Sequence, residues 1–237
     1  MNDRIPGNVV PAENAPGLKA LRDRAARLEP IRMAVVHPCN VLTLSAAIEA
    51  RDGGLIQPVL VAPKAKLDAV AAEGGLDLDG IDIADVAHSH DAASAAAAMA
   101  GAGEVEGLMK GSLHTDELMQ AIVTSASGLR TKRRISHCFL LQTPSYPKPF
   151  IVTDAAINIA PDLLQKADIV RNAIDLAAVI GVETPRVAIL AAVETISPAM
   201  QATLDAAALC KMADRGQISG AILDGPLAFD NAISIEA

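Results

Sequence analysis

The sequence contains few aromatic and few basic residues. It has no Trp, one Tyr and three Phe in 237 residues, although 51% of its residues are hydrophobic. These are mainly Ala, Val, Ile and Leu, which favours helices packed on aliphatic strands over an aromatic-rich sandwich. The net charge of −8 argues against a general binder of nucleic acid or membrane surfaces, because both need an excess of Lys and Arg.

Long apolar runs and paired cysteines are also missing. The start, MNDRIPGNVVPAEN, lacks the apolar core of a secretion signal, and no later run approaches membrane-spanning length. Cys39, Cys138 and Cys210 are widely spaced and odd in number, which suits thiols in a reducing cytosol better than disulfides or zinc. We therefore predict a cytoplasmic protein that binds neither membranes nor nucleic acid. His88 and His90 have no partner cluster, so we expect no metal.

Short β-branched runs alternate with longer alanine-rich segments, and the segments between the first five runs have helical periodicity. This alternation predicts parallel βαβ units and an α/β fold. The predicted strands are IRMAVVHP, IQPVLVAP, IDIADV, GLMKGS, ISHCFLLQ, FIVTDAA, RVAILAA and SGAILDGP.

The segment QTPSYPKP (142–149) interrupts this pattern. It holds three prolines and separates two strand-like runs with no helix between them. Because proline cannot donate to a β-ladder, the segment is either a domain crossing or a β-hairpin at a sheet edge. We place a domain boundary here, with one α/β domain over 1–147 and a second over 148–237.

Helix signals recur in the second half. Pro161-Asp162 predicts a helix that runs to about Ile180, and Pro198 predicts another. Asp230 is a candidate N-cap for a last helix, but the chain stops at Ala237. Since this helix would be shorter than usual, we expect the chain to be incomplete.

The stretch GLMKGSLHTDEL (107–118) combines a strand end, a polar loop and the start of a helix. In open parallel sheets, ligands bind where strand ends meet helix N-termini. The loop suits a small oxyanion such as phosphate, and its predicted ligands are Lys110, Gly111, Ser112, His114 and Thr115. Alternatively, Thr115 is only an N-cap and His114 a loop histidine.

Five collinear blocks resemble one family. In chain order they are HPCNVLTLSAAIEA, LMKGSLHTDELMQAIV, DAAINIAPDL, AAVETISPAMQATLDAAALCKMADRG and GAILDGPLAFDNAIS. From about residue 31 to the end, the chain resembles phosphate acetyltransferases and phosphate butyryltransferases. It looks most like the butyryl type and the phosphotransacylase part of enoyl-CoA hydratase fusions. The resemblance implies transfer of acetyl or butyryl between coenzyme A and inorganic phosphate, giving an acyl phosphate and a free thiol.

The resemblance also implies an architecture similar to isocitrate and isopropylmalate dehydrogenases, with a cleft between two α/β domains, and a homodimer. Coenzyme A would be a substrate, and no tightly bound cofactor is expected. Family members carry a further C-terminal segment with a Ser-Arg pair and an Asp that act on the substrates. This segment is not in the sequence, so the catalytic residues are unknown and both domains are expected to lack elements.

The implied chemistry needs no covalent intermediate. Phosphate is already nucleophilic, so catalysis consists of placing its oxygen near the thioester carbon and stabilising the developing oxyanion. We therefore do not expect Cys39 or Ser112 to carry the acyl group.

Two further groups of residues are candidates by this resemblance. Arg130, Arg133 and Arg134 lie in a basic run that suits the phosphates of coenzyme A, or they form a solvated loop that pairs with surface acids. The predicted cleft-lining residues are Asp154, Asn158, Glu194 and Asp224, although turn contacts within the chain would explain them equally well.

Two other functions are compatible with parts of this pattern. A non-catalytic nucleotide- or anion-binding module, or an inactive fragment, would use the same fold and loop without transfer. A nicotinamide dehydrogenase is disfavoured, because HPCNV stands after the first strand in place of a glycine-rich fingerprint.

Overall fold

The computed structural model describes residues 17–144 and 146–234. Within them the helices are α1 (Leu18–Ala25), α2 (Val41–Asp52), α3 (Lys64–Gly74), α4 (Ser89–Gly101), α5 (Thr115–Val123), α6 (Leu163–Val179), α7 (Gln201–Asp214) and α8 (Phe229–Ile233). The strands are β1 (Ile31–Val36), β2 (Ile56–Ala62), β3 (Asp82–Asp85), β4 (Gly107–Lys110), β5 (Phe139–Thr143), β6 (Tyr146–Val152), β7 (Arg186–Leu190) and β8 (Ile222–Leu227). The described helices include none that is long and apolar enough to cross a membrane.

The chain divides into two compact units. Of the described residues, 22–132 form the first unit, and 17–21, 133–144 and 146–234 form the second. The sequence placed the boundary after residue 147. In the structure, residues 133–138 belong to the second unit because Arg133, Arg134 and His137 bond to residues beyond 147.

The first unit is a doubly wound parallel sheet in the order β3-β2-β1-β4. The chain builds outward from β1 to β3, and then returns to the other side of β1 with β4. Val36 therefore pairs with Val61 on one side and with Lys110 on the other. This arrangement confirms the predicted α/β class and parallel sheet. It also places a reversal of strand order between β1 and β4, where such sheets bind ligands.

Strand β1 explains how the helices are distributed over this sheet. Ala34 and Val36 pack on the face covered by α4 and α5, whereas Val35 packs on the face covered by α2 and α3. All three side chains are fully buried. Each buried Val contributes about 1.5–3 kcal/mol to folding, so the continuous apolar run of β1 is the centre of the first unit.

The second unit contains two smaller sheets. Strands β5 and β6 form an antiparallel hairpin, which resolves the two readings of the proline-rich segment in favour of a hairpin. Strands β7 and β8 are parallel. The core cluster beside β7 and β8 includes Ile174 of α6, Leu209 of α7 and Ile218. The sequence patterns did not predict α1.

Helix starts agree with the sequence at α6 and differ at α7 and α8. Asp162 caps α6 through a reciprocal capping box with Gln165, as the Pro161-Asp162 signal predicted. The segment at Pro198 forms a turn instead, and α7 begins three residues later. The hydroxyl of Thr203 stabilises that turn by accepting from the amide of Ser197 at 2.9 Å, and its single proton faces the carbonyls of Met200 and Ser197. Asp230 lies in the first turn of α8, and the N-cap is Ala228.

Candidate functional site

Two loops meet at the carboxyl ends of β1 and β4. The β1–α2 loop begins at His37, and the β4–α5 loop begins at Gly111. The amide of Gly111 donates to the carbonyl of Val36 at 2.9 Å, and the amide of Ser112 donates to the carbonyl of His37 at 2.9 Å. These bonds extend the β1–β4 pairing beyond the strands and hold the two loops together.

Gly111 is required by this contact. A Cβ atom at this position would lie 2.4 Å from the carbonyl oxygen of Val36 and 2.6 Å from the carbonyl of His37. Real Cβ atoms do not approach so closely. From the sequence, Gly111 was predicted to let a ligand approach the backbone. In the structure, the backbone of Val36 and His37 occupies the space beside its Cα atom.

The hydroxyl of Ser112 also connects the two loops. It donates to the carbonyl of His37 at 2.8 Å and accepts from the amide of Cys39 at 3.1 Å. A serine hydroxyl has one proton, and here that proton points to the protein. Ser112 was predicted to donate to phosphate; in the structure its hydroxyl joins the β4–α5 loop to the β1–α2 loop.

The start of α5 presents exposed polar groups. His114 is the N-cap residue and Thr115 the first helical residue, and among the described side chains none caps the first turn. Thr115 is therefore not the N-cap. The side chains of Lys110, His114 and Thr115 are exposed, and the contact of Lys110 Nζ with the Gly111 carbonyl is long, at 3.4 Å. Uncapped first-turn amides and a positive dipole end attract anions.

His37 and Cys39 add a titratable group and a thiol that were not predicted as site residues. His37 has a positive φ of 53°, which is uncommon outside glycine and clusters at functional sites. Burial and the charge of Lys66 lower the pKa of His37, against an opposite effect of Glu117. Burial raises the pKa of Cys39, so this thiol is a poor nucleophile. The signal in the sequence was HPCN following a strand beside the KGSLHT loop.

The basic run is divided between the two units. Arg130 is exposed and belongs to the first unit. Arg133 forms an ion pair with Asp175 of α6, and Arg134 Nε donates to Asn158 Oδ1 at 2.6 Å. Arg133 and Arg134 thus have the contacts expected of the alternative interpretation, in which the run pairs with groups of the protein.

Asp154 and Asn158 form one network at the end of the hairpin. Asp154 accepts from the amide of His137 at 2.7 Å and from Asn158 Nδ2 at 2.7 Å. Burial by itself raises the pKa of Asp154, but the hydrogen bonds from His137, Asn158 and the amide of Ile157 outweigh it and lower the pKa. The structure brings these two predicted residues together, in contact with each other.

The other two predicted cleft residues also have partners within the chain. Glu194, after β7, accepts a hydrogen bond from Asn231 of α8. Asp224, within β8, accepts from the amide of Gly225 at 2.8 Å. The first contact joins the loop after β7 to α8.

Comparisons with known proteins identify the family. The family model described as Phosphate acetyl/butaryl transferase matches residues 87–237. A phosphate acetyltransferase of Rhizobium meliloti is 58% identical over 214 residues, which are 90% of this chain and 68% of the relative. One of Rickettsia felis is 54% identical over 215 residues, 90% of this chain and 62% of the relative. A phosphate butyryltransferase of Clostridium acetobutylicum is 35% identical over 217 residues, 92% and 71% of the two chains.

Solved structures agree on the fold. A branched-chain phosphotransacylase from Enterococcus faecalis superposes with a TM-score of 0.71 at 24% identity, covering 84% of this chain and 69% of that chain. A phosphotransacetylase from Streptococcus pyogenes also gives a TM-score of 0.71, at 14% identity and with 91% and 74% coverage.

The fold and these matches define a class of acyltransferases in which phosphate accepts the acyl group and, in the reverse direction, the acyl phosphate donates it. The chain belongs to the phosphate acetyl/butyryl transferase family. The predicted family is confirmed, and so, at the level of the family, is the predicted enzyme function of acyl transfer between coenzyme A and phosphate. The chain spans about two thirds of the length of the two acetyltransferases. Identity with them exceeds identity with the butyryltransferase, whereas the sequence blocks looked more like the butyryl type.

Proposed function

We propose that the protein transfers acetyl in preference to butyryl between coenzyme A and inorganic phosphate, and that phosphate binds at the N-terminus of α5. The observation that carries the proposal is the uncapped first turn of α5 beside the exposed side chains of Lys110, His114 and Thr115. The preference for acetyl is supported by the 58% identity to a relative named phosphate acetyltransferase.

The site's task is to place phosphate and to balance its charge. The first amides of α5 and the hydroxyl of Thr115 donate hydrogen bonds, and Lys110 supplies a positive charge. Phosphate then attacks the thioester carbon directly, without an acyl-enzyme. The raised pKa of Cys39 supports this direct route, since it keeps the thiol protonated at neutral pH.

For coenzyme A, the proposal rests on Arg130. A guanidinium suits the phosphates of the nucleotide, and Arg130 is exposed. In this proposal Arg133 and Arg134 have a structural role, because Arg133 pairs with Asp175 of α6 and Arg134 donates to Asn158. We further propose a homodimer in the cytoplasm with the two-domain, dehydrogenase-like architecture. Its substrates would be acyl-CoA and phosphate, with no tightly bound cofactor. The proposal also includes a cleft lined by Asp154, Asn158, Glu194 and Asp224.

The first test measures release of free thiol from acetyl-CoA and butyryl-CoA, with and without phosphate. It uses this chain and a chimera that adds the part of the Rhizobium meliloti relative outside the matched region. We expect phosphate-dependent release, faster with acetyl-CoA, in the chimera at least. Activity in neither protein would contradict acyl transfer and favour the anion-binding module.

The phosphate site is tested by a matched pair of substitutions in whichever protein is active. Thr115→Ala should raise the KM for phosphate about tenfold, the loss of roughly one charge-assisted hydrogen bond, and leave the KM for acyl-CoA unchanged. Ser112→Ala should mainly lower the midpoint of thermal unfolding, because its hydroxyl joins two loops. An unchanged phosphate KM in Thr115→Ala would remove α5 as the phosphate site.

A further inference from the structure

Two residues beside the proposed phosphate site, His37 and Glu117, each have a buried polar atom without a hydrogen-bond partner. In the part of the chain that the structure describes, the buried side-chain polar atoms left without a hydrogen bond are His37 Nε2 and Glu117 Oε1. A buried polar atom without a partner costs about 1–3 kcal/mol, so each such atom needs an explanation. His37 follows β1, and Glu117 lies in the first turn of α5.

The contacts of Ser112 favour one of the two neutral tautomers of His37. The single hydroxyl proton of Ser112 is donated to the His37 carbonyl at 2.8 Å. The hydroxyl oxygen therefore faces His37 Nδ1, 3.4 Å away, with a lone pair. This contact is at the long end of hydrogen bonding, and it favours the tautomer with the proton on Nδ1. Nε2 is then an acceptor.

The surroundings keep this imidazole neutral. Burial and Lys66 of α3 lower the pKa of His37, and they outweigh Glu117 of α5, which raises it. Cys39, the other titratable group of the same loop, has a raised pKa and is an uncharged thiol at neutral pH. A neutral imidazole with its proton on Nδ1 keeps the Nε2 lone pair available.

Glu117 is the second acceptor. Its side chain is 12% exposed, and Oε1 lies 2.9 Å from Nδ1 of the exposed His90, an ion-pair distance without hydrogen-bond geometry. A carboxylate in the first turn of an anion-binding helix would repel an anion that carries no proton. It is compatible with an anion that brings its own hydrogen-bond donor.

Inorganic phosphate is such an anion and sulfate is not. Near neutral pH phosphate keeps a P–OH group, whereas sulfate is fully deprotonated. We propose that His37 Nε2, assisted by Glu117, accepts the P–OH hydrogen bond of phosphate and so makes His37 the residue that selects phosphate over sulfate. This inference rests on the proposed phosphate site at α5 and adds the basis of its selectivity.

The first experiment reads the tautomer directly. Nitrogen NMR of this chain with ¹⁵N-labelled histidine, assigned with a His37→Asn variant, should show His37 neutral with its proton on Nδ1. Asn is chosen because it tolerates the positive φ at this position. In Ser112→Ala the signal should shift toward a mixture of tautomers. A proton found on Nε2 in the unsubstituted chain would overturn the inference.

The second experiment measures selectivity. Titration calorimetry of the same chain with sodium phosphate and with sodium sulfate, at pH 7 and equal ionic strength, should show a preference for phosphate. His37→Asn should reduce that preference about tenfold, roughly one hydrogen bond to a charged group. Glu117→Gln should also reduce the preference for phosphate, chiefly by increasing the affinity for sulfate.

A control separates this inference from the site on which it rests. Thr115→Ala should weaken phosphate and sulfate by the same factor, because its hydroxyl can donate to either anion. If phosphate binding depends on Thr115 but His37→Asn keeps the full preference, the selectivity inference is wrong and the α5 site stands. If the chain binds neither anion at millimolar concentration, both proposals fail.

Discussion

The two units use similar polar residues in different ways. In the first unit, Lys110 ends the parallel strand β4, His114 and Thr115 come after it, and all three side chains are exposed. In the second unit, Asp154 and Asn158 follow a hairpin and bond to each other and to their neighbours. A polar residue at the end of a strand is therefore a candidate ligand only when the surrounding chain has not already satisfied it.

The difference arises from the partners that each loop meets. The β4–α5 loop contacts the β1–α2 loop mainly through backbone groups and the hydroxyl of Ser112. The side chains of His114 and Thr115 take no part in this contact and are exposed. The residues from Arg133 to His137 meet the side chains of α6 and of Asp154. The first arrangement leaves donors for a ligand, and the second fixes the start of the hairpin.

The largest expected effect is on the backbone contact that builds the first unit's site. Gly111→Ala should destabilise the protein by about 3 kcal/mol, the upper range for overpacking, because its Cβ would meet Val36 and His37. The control is Gly54→Ala, where φ is +68° but no atom lies within 4 Å, and a cost of about 1 kcal/mol is expected. Urea unfolding measures both. Equal losses would show that the close approach is relieved elsewhere.

The Asp154 network of the second unit should make the stability of the protein depend on pH in the acidic range. The pKa of Asp154 is lower in the folded than in the unfolded protein, so its contribution is present above the unfolded value of about 3.9 and is lost as the pH falls through the folded one. Asp154→Asn should cost about 2 kcal/mol at pH 7 and less at pH 3, which is below the unfolded pKa. Urea unfolding at the two pH values checks this, and a cost independent of pH would mean that the carboxylate charge is unimportant.

The smallest expected effects compare two arginines on either side of the unit boundary. Arg133→Ala should lower stability by about 0.5–1 kcal/mol, as for a partly exposed ion pair, and weaken coenzyme A and dephospho-coenzyme A alike. Arg130→Ala should leave stability unchanged and weaken coenzyme A several-fold more than its dephospho form. Calorimetry with coenzyme A and dephospho-coenzyme A measures both affinities for each variant. If Arg133→Ala rather than Arg130→Ala weakened coenzyme A more than its dephospho form, the coenzyme A contact would belong to Arg133.

Local sequence patterns were sufficient for most of the fold. The apolar run of β1 and the capping signal at Asp162 depend on neighbouring residues and were recognisable, whereas a hairpin was one of two interpretations of the proline-rich segment. The use of Ser112 was not recognisable, because its partners lie in a loop 75 residues earlier in the chain. The start of α7 was misplaced for a similar reason, since a turn stabilised by Thr203 replaces the first helical residues.

The order of the strands in the first unit has a consequence for how the protein folds. Strands β1, β2 and β3 can associate in sequence, but β4 has to reach β1 across the whole α2–α4 segment. Contacts of such long sequence separation form slowly, because loop closure has to precede them. The junction of His37 with Ser112 therefore does not exist in a nascent chain that ends before β4. The proposed anion site at α5 therefore cannot form before β4 has paired with β1.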